Sequence, residues 1–219
     1  MDKNIILDFF FPAKCVFCGE IVKRGAVCSR CRTQVEHLAI PQHLQQVNSK
    51  AFKNLDRCFS CYYYEGIVRK GLIDAKRKSG EVFSKAFLQY ISFDFDRFIK
   101  DNDIDTIISM PCHKSKFYNR EYDLPQLMVQ AIAKNCNLEY NKDLVKKVKR
   151  TKNQHDLKLE QRKSNLKDAF AVYGDVKGRN ILIIDDIVTS GNSLEEVART
   201  LKKSGAEKVI AVTFAYNIL

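Results

Sequence analysis

Two sets of residues in this 219-residue chain have types and spacings suited to chemistry. The first is Asp185-Asp186-Ile-Val-Thr189-Ser190-Gly191-Asn192-Ser193, which follows the apolar run Asn180–Ile184. An apolar strand that runs out at two carboxylates, then a short loop, then a helix, places that loop at the carboxyl end of a parallel strand. Open α/β sheets bind ligands there. The loop amides and the positive end of the helix dipole make a phosphate cradle. Gly191 lets the backbone approach a ligand closely, and the hydroxyls of Thr189, Ser190 and Ser193 can donate to phosphate oxygens. The Gly-x-x-x-x-Gly-Lys pattern of a nucleoside-triphosphate loop is missing, so ATP hydrolysis has no support. Two carboxylates beside a monophosphate cradle suit a sugar phosphate, because they accept hydrogen bonds from vicinal hydroxyls. They also offer oxygen ligands for Mg²⁺. The plainer alternative is an ordinary turn with Ser193 as N-cap and Glu196 at the capping-box position. It explains those two residues but not the acid pair.

The second set is cysteine. Of eight cysteines, six form the Cys-x-x-Cys pairs Cys15/Cys18, Cys28/Cys31 and Cys58/Cys61. In a reducing compartment this spacing reads as metal before disulfide. Each tight turn points two thiolates at one ion, and two such knuckles complete a tetrahedron of sulfurs about 2.3 Å from Zn²⁺. Cys15, Cys18, Cys28 and Cys31 lie close together, with a Lys-Arg-Gly turn (Lys23–Gly25) between the pairs. That is a compact zinc ribbon pattern. Four thiolates leave no position for water, so the site is expected to be structural; a redox pair or free thiols is the alternative. Cys58 and Cys61 have no partner pair nearby. They either replace one knuckle or are the remnant of a second zinc site. Cys112 and Cys136 stand alone and read as small buried side chains.

Charge narrows the partners. Lys+Arg 37 against Asp+Glu 26 gives +11, which favours nucleic acid, phosphorylated ligands or an anionic membrane face. Residues 142–179 hold twelve Lys/Arg and five Asp/Glu, a local net of +7. A solvated face without a specific role is the plain alternative. The 45% hydrophobic content supports a core and excludes a mainly disordered chain. No stretch reaches about 18 apolar residues, so no membrane-spanning helix is expected. The apolar patch Ile5–Phe11 is split by Asp8 and stopped by Pro12, without a basic start or a cleavage site. No signal peptide is expected, and a cytoplasmic location is.

The elements that must position these residues follow from periodicity. At about 150 residues per domain the chain holds one full domain and a small appendage. Residues 1–62 form the cysteine-rich part, with Ile40–Asn54 as loop or weak helix and Tyr62–Tyr64 as a short strand. Helical spacing covers Gly66–Lys78, Glu81–Ile99 and the stripe Leu124, Leu127, Met128, Ala131 and Ile132. Strands are expected at Ile104–Met110, Ala169–Tyr173, Asn180–Ile184 and Lys208–Ala215. Leu194, Val197, Ala198 and Leu201 mark an amphipathic helix ended by Gly205. Strands alternating with helices predict a parallel α/β sheet with right-handed crossovers.

The run from Asp185 to Ser193 closely resembles the 5-phosphoribosyl-1-pyrophosphate (PRPP) loop of type I phosphoribosyltransferases. Met110-Pro111-Cys112-His113-Lys114, followed by Arg120-Glu-Tyr-Asp, resembles the VPLHK…RGFNQ stretch of the ComF/GntX-like family. Arg150-Thr151-Lys-Asn-Gln154, Leu157, Arg162, Asn165 and Ala169-Phe170 resemble its RT..Q..L….R..N…AF stretch. Lys76 stands where that family has LKY.G, and an N-terminal cysteine-knuckle domain belongs to the family too. The resemblance covers nearly the whole chain.

It implies a type I phosphoribosyltransferase-like parallel sheet flanked by helices over 63–219, preceded by a small zinc ribbon over 1–62. Asp185 and Asp186 would bind the ribose hydroxyls and support Mg²⁺, as the catalytic pair. Thr189, Ser190, Gly191, Asn192 and Ser193 would hold the 5′-phosphate. Pro111, His113 and Lys114 would face the pyrophosphate; His113 reads equally as a satisfied loop histidine. Arg150, Gln154, Arg162 and Asn165 would lie near the site. Cys15, Cys18, Cys28 and Cys31 would bind the structural zinc. Three features depart from the family. Glu121, Asp123 and Leu124 replace its Gly, Asn and Gln. Thr189-Ser190 replaces Thr-Thr. Three cysteine pairs replace the four of longer members, so a second zinc is lost. The resemblance implies a PRPP-binding protein that handles single-stranded DNA in natural transformation, with contacts to other DNA-uptake proteins. Lys146, Lys147, Lys149, Arg150 and Arg162 would meet the DNA phosphates, and Tyr62–Tyr64 offers rings for bases or for the core. The alternative is an active transferase passing phosphoribose to an acceptor that no feature of the chain identifies.

Overall fold

The computed structural model describes residues 13–22, 25–90, 94–112, 122–149 and 166–218. In chain order its main elements are α1 Ser29–His37, β1 Arg57–Tyr63, α2 Gly66–Asp74, α3 Gly80–Tyr90, α4 Phe95–Asp101, β2 Thr106–Ser109, α5 Leu124–Cys136, β3 Glu139–Tyr140, β4 Val145–Lys147, β5 Phe170–Val172, β6 Asn180–Val188, α6 Asn192–Lys203 and β7 Lys208–Tyr216. Five strands make one parallel sheet in the order β1-β7-β6-β2-β3. β4 and β5 form a separate antiparallel ribbon.

The two central strands are continuous apolar runs because helices cover both faces of a parallel sheet. Ile181 to Ile184 and Val209 to Val212 are fully buried. Alternation along the strands feeds two cores. On one face Leu182, Ile184, Ile210 and Val212 pack with Leu72, Phe83, Met128 and Ile132 of α2, α3 and α5. On the other, Ile181, Ile183, Val209 and Ala211 pack with Leu194, Val197, Ala198 and Leu201 of α6. After α6, Gly205 takes the left-handed φ of 98° that ends the helix.

Three elements differ from the sequence reading. The helical spacing across 81–99 resolves into α3 and α4, because the Asp94 carboxylate caps a new start by accepting the Arg97 N–H at 3.0 Å. Between α2 and α3 the residues Ala75–Ser79 form a π-helical turn. The strand expected at Tyr62–Tyr64 begins earlier, at Arg57, and β1 pairs with β7 along its length. A boundary between 62 and 63 therefore falls inside a sheet strand. The preceding segment, with a short 3₁₀ turn at Gln42–Leu44, runs antiparallel to β1 through Ala39–Tyr62 and Gln46–Phe59. Among the described residues no helix is long and apolar enough to cross a membrane.

Candidate functional site

The zinc ribbon is built from two turns. Gly19 (φ 79°) follows the first knuckle and Gly25 (φ 77°) precedes the second, conformations that favour glycine. Cys28 caps α1, its sulfur accepting the Cys31 N–H at 3.5 Å, while the Cys15 sulfur accepts the Cys28 N–H at 3.4 Å. The sulfurs of Cys15, Cys18, Cys28 and Cys31 all lie within 4.8 Å of one another. The Cys18–Cys28 separation of 3.8 Å matches the tetrahedral edge of about 3.8 Å that a 2.3 Å Zn–S bond requires. Burial pushes the Cys15 thiol up, but the backbone N–H groups of Cys28, Cys18 and Phe17 outweigh it and bring the group down to about 7. A thiol so disposed gives up its proton readily to a metal. This donor set fits structural zinc.

Cys58 and Cys61 do not join it. Both lie in β1, three residues apart, and so point to opposite faces of the sheet. Cys58 sits in the α6-side core and Cys61 in the α2-side core. Burial pushes both thiols up.

The acid pair lies on β6 beyond the reach of β2. The β2–β6 pairing ends at Ser109–Ile184, and the Met110 N–H closes it on the Ile184 carbonyl at 2.8 Å. Among the described residues, Asp185 to Val188 continue beside β7 alone. This leaves a step at the carboxyl end of the sheet, a notch that starts beside Met110 and whose strand edge carries the acids. Asp185 is half-buried and Asp186 buried. Burial and the Asp186 charge push the Asp185 carboxyl well above the usual range, against the pull of the Asp186 N–H and the Lys76 ammonium. Lys76, from the π turn, forms an ion pair with Asp186.

β6 runs on to Val188, four residues past the expected end at Ile184, so the acids sit within the strand rather than after it. Thr189 and Ser190 turn, Gly191 (φ 77°) is the N-cap, and α6 starts at Asn192. Ser193 is thus inside the first turn, and no capping box forms. Glu196 instead binds Arg199 and accepts the Asp168 N–H at 2.7 Å. Within the loop the Asn192 side-chain amide donates to the Ser190 hydroxyl at 3.1 Å. The structure therefore sets Asp185, Asp186 and Thr189–Ser193 in one strand–turn–helix unit just past the Met110–Ile184 hydrogen bond, with Pro111 the residue after Met110. His113 and Lys114 lie outside the described residues. Cys112, just before them, donates its thiol to Asp123 at 3.2 Å.

Sequence reasoning missed a strap over the loop. The Ser49 hydroxyl donates to the Ser190 carbonyl at 3.0 Å. The Glu195 carboxylate accepts the backbone N–H groups of Lys53, Asn54 and Leu55 at 2.9 to 3.2 Å. The Phe52 ring sits so close to Gly191 that a side chain there would overlap it. An unexplained acid in the first turn of α6 was the available signal.

The basic residues gather elsewhere, on the β4–β5 ribbon. Lys146 lies 5.2 Å over the Tyr173 ring and pairs with Asp143 at 3.0 Å; Lys147 lies 5.5 Å over Phe170. The Lys149 ammonium donates to the Lys167 carbonyl at 3.1 Å. Arg150, Gln154, Arg162 and Asn165 lie outside the described residues. Tyr62 is in the core against Phe214, ring centroids 4.9 Å apart, whereas Tyr173 is 61% exposed.

The family model for a phosphoribosyl transferase domain matches residues 126–218, and that for a double zinc ribbon domain matches residues 6–62. The DNA utilization protein YhgH of Shigella flexneri is 33% identical over 105 residues, 48% of this chain and 46% of its own. Competence protein F of Haemophilus influenzae is 29% identical over 108 residues, 48% of this chain and 47% of its own. Over about half of its length the chain is similar to these ComF-like proteins. It spans about half the length of the curated relatives it matches. Its larger part is a phosphoribosyltransferase-type α/β sheet and its smaller part a zinc ribbon with one four-cysteine cluster among the described residues. Among solved structures, a purine phosphoribosyltransferase from Pyrococcus horikoshii is 16% identical, covering 60% of this chain and 70% of that chain with a TM-score of 0.35.

Proposed function

We propose that this ComF-like chain binds PRPP at the notch and handles single-stranded DNA on its basic ribbon. The observation that carries the first part is the placement of Asp185 and Asp186 next to a loop that opens α6. The amides at the start of α6 suit a 5′-phosphate, and the carboxylates suit ribose hydroxyls. Two adjacent carboxylates, one of them pushed up by burial and by the other's charge, are also hard oxygen donors that fit Mg²⁺. Mg²⁺ held there would neutralise charge on the pyrophosphate. The chain's own part is to bind, orient and exclude water.

The names of the relatives and the ribbon's chemistry support the second part. Lys146 and Lys149 are exposed cations for phosphates, and Tyr173 is an exposed ring on which a base can stack. Val148 is also exposed. The test is calorimetric titration with PRPP, with and without Mg²⁺, followed by a labelled oligothymidylate. Magnesium-dependent PRPP binding that Asp185→Asn with Asp186→Asn abolishes, leaving DNA binding intact, is expected. Reversing Lys146, Lys147 and Lys149 to Glu is expected to do the converse, flattening the salt dependence by about two units of slope. DNA affinity and salt slope unchanged by that reversal would sink the ribbon assignment.

The intact acid pair also favours a second reading, that phosphoribose is transferred to an acceptor with release of pyrophosphate. Pyrophosphate release from PRPP that depends on an added base separates this from binding alone.

A further inference from the structure

We propose that Lys76 gates the acid pair: it occupies Asp186 while the notch is empty and moves onto pyrophosphate when Mg²⁺ and PRPP arrive together. This rests on the PRPP reading of the notch. The π turn Ala75–Ser79 carries three consecutive cations, Lys76, Arg77 and Lys78. Arg77 and Lys78 are exposed. Lys76 turns inward to Asp186, with side-chain exposures of 15% and 11% for the two partners.

An ion pair so shielded is poor value for stability, because desolvation offsets most of the attraction. A π turn inside a helical run is itself a feature that gathers at functional sites. Its surroundings fix where Lys76 sits. The Tyr122 N–H donates to the Lys76 carbonyl at 3.5 Å, and the Tyr122 ring packs so close to Gly80 that a Cβ there would lie 2.6 Å from it. Tyr122 leads into α5, so Lys76 is held at its backbone by the start of that helix and at its side chain by Asp186.

The exchange is electrostatic, with no bond made or broken. A lysine ammonium is a compact point charge on a flexible stem and changes partners easily. A free divalent cation must displace it and leaves it without a partner in a shielded notch. A cation that comes with PRPP gives Asp186 a new counter-charge and gives Lys76 a pyrophosphate oxygen. Metal and PRPP then bind cooperatively, and neither binds well alone.

Mn²⁺ binding followed by electron paramagnetic resonance, and Mg²⁺-PRPP binding followed by calorimetry, test this on the full chain. Lys76→Met is expected to bind Mn²⁺ alone at least about tenfold more tightly than the wild type and Mg²⁺-PRPP about tenfold more weakly. Adding Asp186→Asn is expected to cancel the Mn²⁺ gain. Lys76→Arg keeps the charge and is expected to bind Mn²⁺ as weakly as the wild type, which guards against a folding artefact in the Met variant. Unchanged Mn²⁺ affinity in Lys76→Met, or a gain in Lys76→Arg, overturns the gate. A wild type that binds no PRPP under any condition overturns the PRPP reading, and the Mn²⁺ arm still decides whether Lys76 closes the acid pair.

Discussion

The same spelling, Cys-x-x-Cys, has opposite fates in two regions of this molecule. In the ribbon, Cys15/Cys18 and Cys28/Cys31 fold as turns and converge on one point. In β1, Cys58/Cys61 is stretched flat and its two sulfurs enter different cores. The difference is backbone conformation. Glycines at positive φ flank the ribbon pairs, while Arg57–Tyr63 is an uninterrupted run that pairs with β7. The lesson is that ligand spacing specifies a metal site only where the chain is free to turn. It also separates two sources of cohesion: the ribbon holds together through donors aimed at a metal, the sheet through buried apolar area.

Breaking the first source has the largest expected effect. Cys31→Ser, or a strong chelator, is expected to remove the zinc and unfold the ribbon. Structural zinc contributes on the order of 10 kcal/mol in small finger domains. Hydrogen exchange should show the amides around α1 losing protection while β6 and β7 keep theirs. Retention of full zinc by Cys31→Ser would move the ligand set elsewhere.

The junction of the two regions comes next. The Phe17 ring of the first knuckle lies against Gly71 of α2 and makes an edge contact with Phe83 at 5.9 Å, and the Lys70 ammonium donates to the Phe17 carbonyl at 2.9 Å. Gly71→Ala overlaps that ring, and overpacking of this kind costs about 1–3 kcal/mol. In a Phe17→Ala background most of the cost is expected to vanish. A cost in chemical denaturation that is the same in both backgrounds would mean the regions are not coupled there.

Cys61→Ser puts a hydroxyl into the sheet core, at a cost of about 1–2 kcal/mol, with zinc content unchanged. Metal analysis and denaturation on one sample check both halves. Loss of zinc here would return Cys58 and Cys61 to the ligand set.

How much of this was legible follows from distance along the chain. The knuckles and the β6–loop–α6 run are local, so residue types and spacing exposed them. The sequence reading places the strand around Cys58 only from Tyr62 onward, although Arg57-Cys-Phe-Ser-Cys-Tyr-Tyr holds no glycine or proline and suits a strand. The strap and the gate were not legible. Ser49 meets Ser190 across 141 residues, and Lys76 meets Asp186 from another crossover of the sheet. Such pairs are set by topology, and a single sequence shows no register between them. The double helix within 81–99 was hidden for a different reason: the apolar spacing persists, and only the Asp94 cap marks the restart.

One place in the sheet reverses its own rule, and the smallest prediction tests it. Along the apolar stretch Ile181–Ile184 of β6 burial stabilises; at Asp185 it opposes folding. Burial and the charge of Asp186 raise the carboxyl of Asp185 in the folded chain, while in the unfolded chain it titrates near its ordinary value of about 3.9. Above that value the folded state binds more protons than the unfolded one. The contribution to stability is therefore complete below the unfolded value and is lost as pH rises through the folded one. At neutral pH, where the unfolded chain ionises this carboxyl freely, the raised carboxyl of Asp185 works against the fold. Asp185→Asn keeps the oxygen that accepts the Asp186 N–H at 2.8 Å and removes the charge. It is expected to raise the melting temperature modestly at neutral pH, with the gain fading as pH falls towards about 4. Melting curves of the two proteins across that range decide the matter. A variant no more stable than the wild type at neutral pH would show that Lys76 already neutralises the whole pair.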